Sequence, residues 1–145
     1  MADTDIGWAH ADAIKTMLGG LPYTVYIGGA DIPDDADQYL VLWSPPANRP
    51  RSTLNGYGGE ARTTTQVTAA GRTVREVITA LDRVAAALHR QRPTIAGRRC
   101  SPITQTPDVP APPAPEKDPN VRTTDGQPIF FSFLQFSLFS APEEP

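Results

Sequence analysis

Chemically active side chains are scarce in this sequence. Cysteine occurs once, at Cys100, and histidine twice, at His10 and His89. A single cysteine excludes an internal disulfide and fits a reducing compartment. No apolar run approaches the roughly 20 residues that a membrane-spanning helix requires. Positive charge is not in excess: 13 Lys and Arg stand against 16 Asp and Glu, a formal net charge of −3. That balance argues against wrapping nucleic acid by phosphate neutralisation. The first residues, Met1-Ala2-Asp3-Thr4-Asp5, lack the basic-then-apolar plan of a signal peptide. Together these absences predict a soluble intracellular product with no membrane span.

Motifs with catalytic mechanics are missing as well. Gly-x-Ser-x-Gly, His-Glu-x-x-His and Cys-x-x-Cys do not occur. The glycines at 56, 58 and 59 lack a following Gly-Lys-Ser/Thr and do not open a βαβ unit, so they give no phosphate cradle. His10 and His89 fall on separate predicted helices, without Cys or carboxylate at ligand spacing, and are expected at the surface or the core edge. Arg98 and Arg99 beside Cys100 would lower a thiol pKa. In a strand, however, Arg99 points away from the face of Cys100, and a buried structural cysteine is the expectation. Asp31, Asp34, Asp35 and Asp37 lack EF-hand spacing and a Glu at the twelfth position, so a solvated acidic loop is expected. No enzyme activity, cofactor or metal is expected.

What the chain does have is a long amphipathic helix set among β-type segments. From Thr73 to about Arg90, apolar residues recur at Val74, Val77, Ile78, Leu81, Val84, Ala85 and Leu88, the rhythm of one buried stripe. Thr73 and Glu76 form a capping box, and Pro93 closes the element. A softer helix is expected over Asp5 to Leu18, capped by Asp3, Thr4 or Asp5 and stopped at Gly19-Gly20 by a left-handed glycine.

Strands are expected at Tyr23–Ile27, Tyr39–Trp43, Thr63–Ala70, Arg98–Thr106 and, strongest of all, Ile129–Phe139. The last alternates Phe130, Leu134, Phe136 and Leu138 against Ile129, Phe131, Phe133 and Phe139, and its first half is apolar on both faces, as in a central strand or one covered by a neighbouring subunit. A flexible loop is expected over 49–62. Of 16 prolines, six crowd positions 107, 110, 112, 113, 115 and 119, so an extended, polyproline-like insert outside the sheet is expected over 107–127. With 145 residues the chain is long enough for one domain with a real core. The fold class is α+β: an antiparallel or mixed sheet packed by the long helix and the N-terminal helix, with extended loops.

The order and landmarks of the whole chain resemble the tail terminator family of long-tailed, siphovirus-type phages. The resemblance is carried by the helix ending at Gly19-Gly20, by Tyr23-Thr24-Val25-Tyr26, and by Tyr39-Leu40-Val41-Leu42 running into Pro45-Pro46. Most of it lies in the run from Val77 through Arg92-Pro93-Thr94-Ile95-Ala96-Gly97-Arg98-Arg99-Cys100-Ser101-Pro102 and in the β-rich segment near the end. It implies a virion structural protein of the neck, assembled in the host cytoplasm. Such a protein forms a homohexameric ring that caps the head-proximal end of the tail tube, stops tube polymerisation and docks the head–tail connector. DNA would pass the lumen without specific binding. Candidate assembly-interface residues are Arg49, Arg51, Leu54, Tyr57 and Arg62 in the loop, and Phe131 and Phe133 on the last strand. The alternatives are another neck component, such as a head-completion or connector protein, and a small ligand-binding or hydrolytic α+β protein.

Overall fold

The computed structural model describes residues 5–28, 32–33, 36–47, 59–106, 114–122 and 126–143, with 118–122 as backbone. The helix α1 spans Ile6–Leu18 and α2 spans Val74–Leu88. The capping box of α2 is formed: the Thr73 hydroxyl accepts from the Glu76 amide at 3.1 Å. Glu76 reaches back to the Arg72 amide at 2.7 Å, one residue earlier than the usual partner. The stripe of α2 buries Val77, Ala80, Leu81, Val84 and Leu88, but Val74 and Ile78 are exposed. Both sit at the rim of the stripe, Ile78 beside a cleft shared with Pro115 and Leu134. The helix ends at His89, four residues before Pro93, where extended His89 and left-handed Arg90 (φ 65°) turn the chain. α1 stops at Gly19 as expected, but that glycine is right-handed helical at φ −64° and not left-handed; Asp5 makes no side-chain cap bond, and Asp3 and Thr4 lie outside the described residues.

Among the described residues seven strands form one mixed sheet: β1 Thr24–Ile27, β2 Tyr39–Trp43, β3 Ala61–Gly71, β4 Arg98–Cys100, β5 Thr104–Gln105, β6 Glu116–Arg122 and β7 Pro128–Pro142. Their order is β1-β2-β3-β7-β4, with β5 and β6 also on β7. The pair β1/β2 is parallel and the others antiparallel. The long strand β7 is central, as its apolar character on both faces predicts: β3 takes one side, and β4, β5 and β6 share the other.

Several expected boundaries move, and the last strand runs on from Phe139 to Pro142. The Arg98–Thr106 strand breaks into β4 and β5 around Pro102, which has no N–H for a ladder. The expected loop 49–62 ends in strand, because Ala61 and Arg62 already pair with Ser140 and Phe139. The proline-rich insert is not wholly outside the sheet, since Glu116–Arg122 pairs with β7 through a register shift between Lys117 and Arg122. That irregular stretch holds Pro119, and a sheet edge with a bulge is where a strand tolerates proline.

Both helices cover one sheet face. Ala9, Ala13, Ile14 and Leu18 of α1 and the α2 stripe join Leu40, Leu42, Val67, Ala69, Leu134, Phe136 and Leu138 in a single core cluster. Strand alternation sends the odd positions of β3 and the even positions of β7 into this core, and the register pairs them directly, as in Val67 with Leu134. Their neighbours, even in β3 and odd in β7, occupy the opposite face.

Candidate functional site

The sheet face that neither helix covers carries the three expected interface residues that are described. Arg62, Phe131 and Phe133 all belong to it, Arg62 in β3 and the two phenylalanines in β7. Arg49, Arg51, Leu54 and Tyr57 lie outside the described residues. At one end of the face Tyr39, Val41 and Trp43 of β2 line a concavity with Thr68, Ala70, Ile129, Phe131, Phe133 and Ile32. Register places Ala70 between Tyr39 and Phe131, and Thr68 between Val41 and Phe133. The Thr68 hydroxyl accepts from Trp43 Nε1 at 3.1 Å and from Gln66 Nε2 at 3.3 Å. These bonds hold the indole against β3 while Trp43 stays 45% exposed.

The other end of the face is cationic and hydroxylic. The Arg62 guanidinium stands 5.6 Å from the centroid of the Phe139 ring. Both residues line a cleft with Ser101, Thr104 and Ser137. The face therefore offers an aromatic and aliphatic patch at one end and an arginine with hydroxyls at the other. That is chemistry for holding another macromolecule by shape and a few polar contacts.

The titratable residues fall elsewhere. His10 corrects its expectation as a surface or core-edge residue: it is fully buried. Its Nδ1 lies 2.8 Å from the Thr63 hydroxyl and its Nε2 2.7 Å from the Ser140 hydroxyl, so both ring nitrogens are satisfied. Burial, and then the charge of Arg98, pushes its pKa from 6.5 down to about 4. His89 keeps its place at the core edge, where Nδ1 accepts from the Gln105 amide at 3.1 Å. Cys100 is buried as expected, and burial raises its thiol pKa against the opposing charges of Arg98 and Arg92. Of the acidic group, Asp37 pairs with Arg72 at 2.6 Å, while Asp31, Asp34 and Asp35 lie outside the described residues. Among the described residues no group of three or more His, Cys, Asp or Glu gathers as a metal site, and no helix is long and apolar enough to cross a membrane.

Sequence reasoning missed the β2 contribution to this face and the polar cluster around His10. The first had a signal: in Tyr39-Leu40-Val41-Leu42-Trp43 the leucines face the core, so Tyr39, Val41 and Trp43 must face away. The second was signalled by Thr63 and Ser140 at core-facing strand positions, where a hydroxyl requires a partner.

No protein-family model and no curated protein sequence matches the chain. Solved structures do. A chain in the virion of a native gene transfer agent particle matches at TM-score 0.52 and 14% identity, over 88% of this chain and 84% of its own. A second solved chain, with no functional description, matches at TM-score 0.59 and 16% identity, over 100% of this chain and 99% of its own. At these identities the similarity is one of fold, and the α+β fold of this chain is shared with a component of that virion.

Proposed function

We propose that this chain is a structural virion protein: a tail terminator that caps the head-proximal end of a phage tail tube as a ring. The observation that carries this reading is the fold similarity, over most of the chain, to a component of a gene transfer agent virion. The order of sequence landmarks described above supports the finer role. So does a sheet face that no helix covers among the described residues, bearing Trp43, Phe131, Phe133 and Arg62.

The mechanism needs no catalytic residue. Tube subunits polymerise around a tape-measure protein, and the terminator occupies the exposed growing end and denies it to the next subunit. A ring, hexameric on this reading, closes when each copy's contact surface meets a different surface of its neighbour. Strand β1 pairs only with β2 among the described residues, so its outer edge is a candidate for such contact, with the uncovered face. The opposite surface of the ring docks the head–tail connector, and DNA passes through the lumen without sequence-specific contact.

Electron microscopy of the purified protein, alone and with tail tubes, tests the proposal. Six-fold rings, and rings seated at one end of each tube, are the expected result. A monomer at high concentration that ignores tubes would overturn it. Binding to the portal-side ring in place of the tube would reassign the chain to another neck component, and turnover of a small substrate would move it to the enzymatic alternative.

A further inference from the structure

Four side chains from four elements meet in the core near the start of β3: His10 of α1, Thr63 of β3, Arg98 of β4 and Ser140 of β7, all buried. One placement of the protons runs all of their hydrogen bonds in a single direction. Arg98 can only donate, and its Nε–H occupies a lone pair of the Ser140 hydroxyl at 2.8 Å. Ser140 has one hydroxyl proton to give, and His10 Nε2 stands 2.7 Å away to accept it. With the Ser140 proton on that bond, Nδ1 is the protonated nitrogen and donates to the Thr63 hydroxyl at 2.8 Å. The same guanidinium reaches further, and Nη2 donates to the Gly59 carbonyl at 2.6 Å and the Ser140 carbonyl at 3.1 Å. Gly59 leads into β3 with φ +89°, packed so closely on Pro142 that a Cβ there would lie 2.5 Å from its Cγ. The backbone before β3 is thus held by Arg98, Arg98 is oriented by Ser140, and the Ser140 proton is directed by His10.

We propose that this directed chain is an acid-opened latch on the start of β3: a proton added to His10 Nε2 reverses the His10–Ser140 bond and uncouples Arg98 from Gly59. N–H donors would then fill both acceptor sites of the Ser140 hydroxyl while its own proton loses its acceptor, and two cations would share a closed core. Among the described residues the charged and titratable groups nearby are few. On α1 itself Asp5 and Asp12 are exposed. Glu60 and Arg62 flank the start of β3, β4 supplies Arg98 and the buried Cys100 thiol, and Glu143 follows β7. Of these, Arg98 is the charge that bears on the His10 ring, and with burial it keeps the imidazole neutral until about pH 4. Opening would loosen the Ala61–Ser140 pair and the adjoining Arg62–Phe139 pair while leaving β2 in place. The latch is a property of the single chain and stands or falls independently of the assembly reading.

Hydrogen exchange between pH 7.5 and 3.5, with imidazole ¹⁵N NMR, tests it on the full chain. Corrected for intrinsic rates, protection at Ala61–Thr63 and Arg98–Cys100 should fall at least about tenfold near pH 4, while Leu40–Leu42 stays protected. His10→Gln, whose amide can donate to Thr63 and accept from Ser140 without titrating, should show no such step. The NMR should place the neutral-form proton on Nδ1. The latch is overturned by an equal step in His10→Gln, by simultaneous loss of protection in every strand, or by an Nε2–H tautomer at pH 7. Should His10→Gln not fold, the wild-type exchange pattern and tautomer decide alone.

Discussion

Arg62 and Phe139 are direct cross-strand partners, and the guanidinium of the first stands 5.6 Å from the ring centroid of the second. Arg62 is exposed, so this cation–π contact is worth only about 0.5–1 kcal/mol to the fold. Arg62→Ala should therefore melt within a few degrees of wild type. If the uncovered face is an assembly surface, the same change should weaken ring or tube association. Thermal melts and sedimentation of the pure protein, read together, separate the two effects.

Leu81→Asp should behave in the opposite way. Leu81 is nearly buried in the core cluster, so an aspartate there loses apolar burial and desolvates a charge without a partner. A loss of roughly 3 kcal/mol or more, enough to unfold much of a marginally stable domain, is expected. Circular dichroism at 25 °C is the check, and a melt matching wild type would show that the α2 stripe is not buried.

Thr73→Ala removes the acceptor for the Glu76 amide at the first turn of α2. The expected loss is about 1 kcal/mol, a typical value for an N-cap. Thr73→Ser should keep most of it, because the hydroxyl is retained. Denaturant midpoints at constant m-value distinguish the two variants.

Stability should fall with acid through His10. Its folded pKa, about 4, lies below the ordinary 6.5, so between these values the unfolded chain binds the proton more readily. The His10 contribution is therefore complete above about pH 6.5, declines as pH falls towards 4, and is flat below that. Its full span is about 3 kcal/mol from the size of the shift. Urea midpoints from pH 7 to 4, with His10→Gln as the non-titrating reference, measure it.

The parts of this fold legible in sequence are those with a local cause. The α2 stripe and its cap follow from residues three and four apart, and β7 announces its central place by being apolar on both faces. The parallel pairing of β1 with β2 has no such signal, because neither segment encodes the direction of its neighbour. β6 was hidden by Pro119, which counts against a strand unless an edge and a bulge accommodate it. The site was half legible: Phe131 and Phe133 follow from alternation, but their company with Trp43 and Val41 depends on β2 and β7 flanking β3. For His10 the signal was one-sided: core-facing Thr63 and Ser140 each call for a partner, but nothing local names a histidine 53 and 130 residues away in the chain.

The place of β7 in the sheet also sets a timetable. It is the last strand in chain order, yet β3 on one side and β4, β5 and β6 on the other all hydrogen-bond to it. While the chain is being synthesised, β3 can pair with β2 but waits for its second neighbour until residues 128–142 emerge. Until then the apolar undersides of both helices have half a platform, and the β3–β7 contacts, far apart in sequence, must close at the end, a topology of the kind that folds slowly.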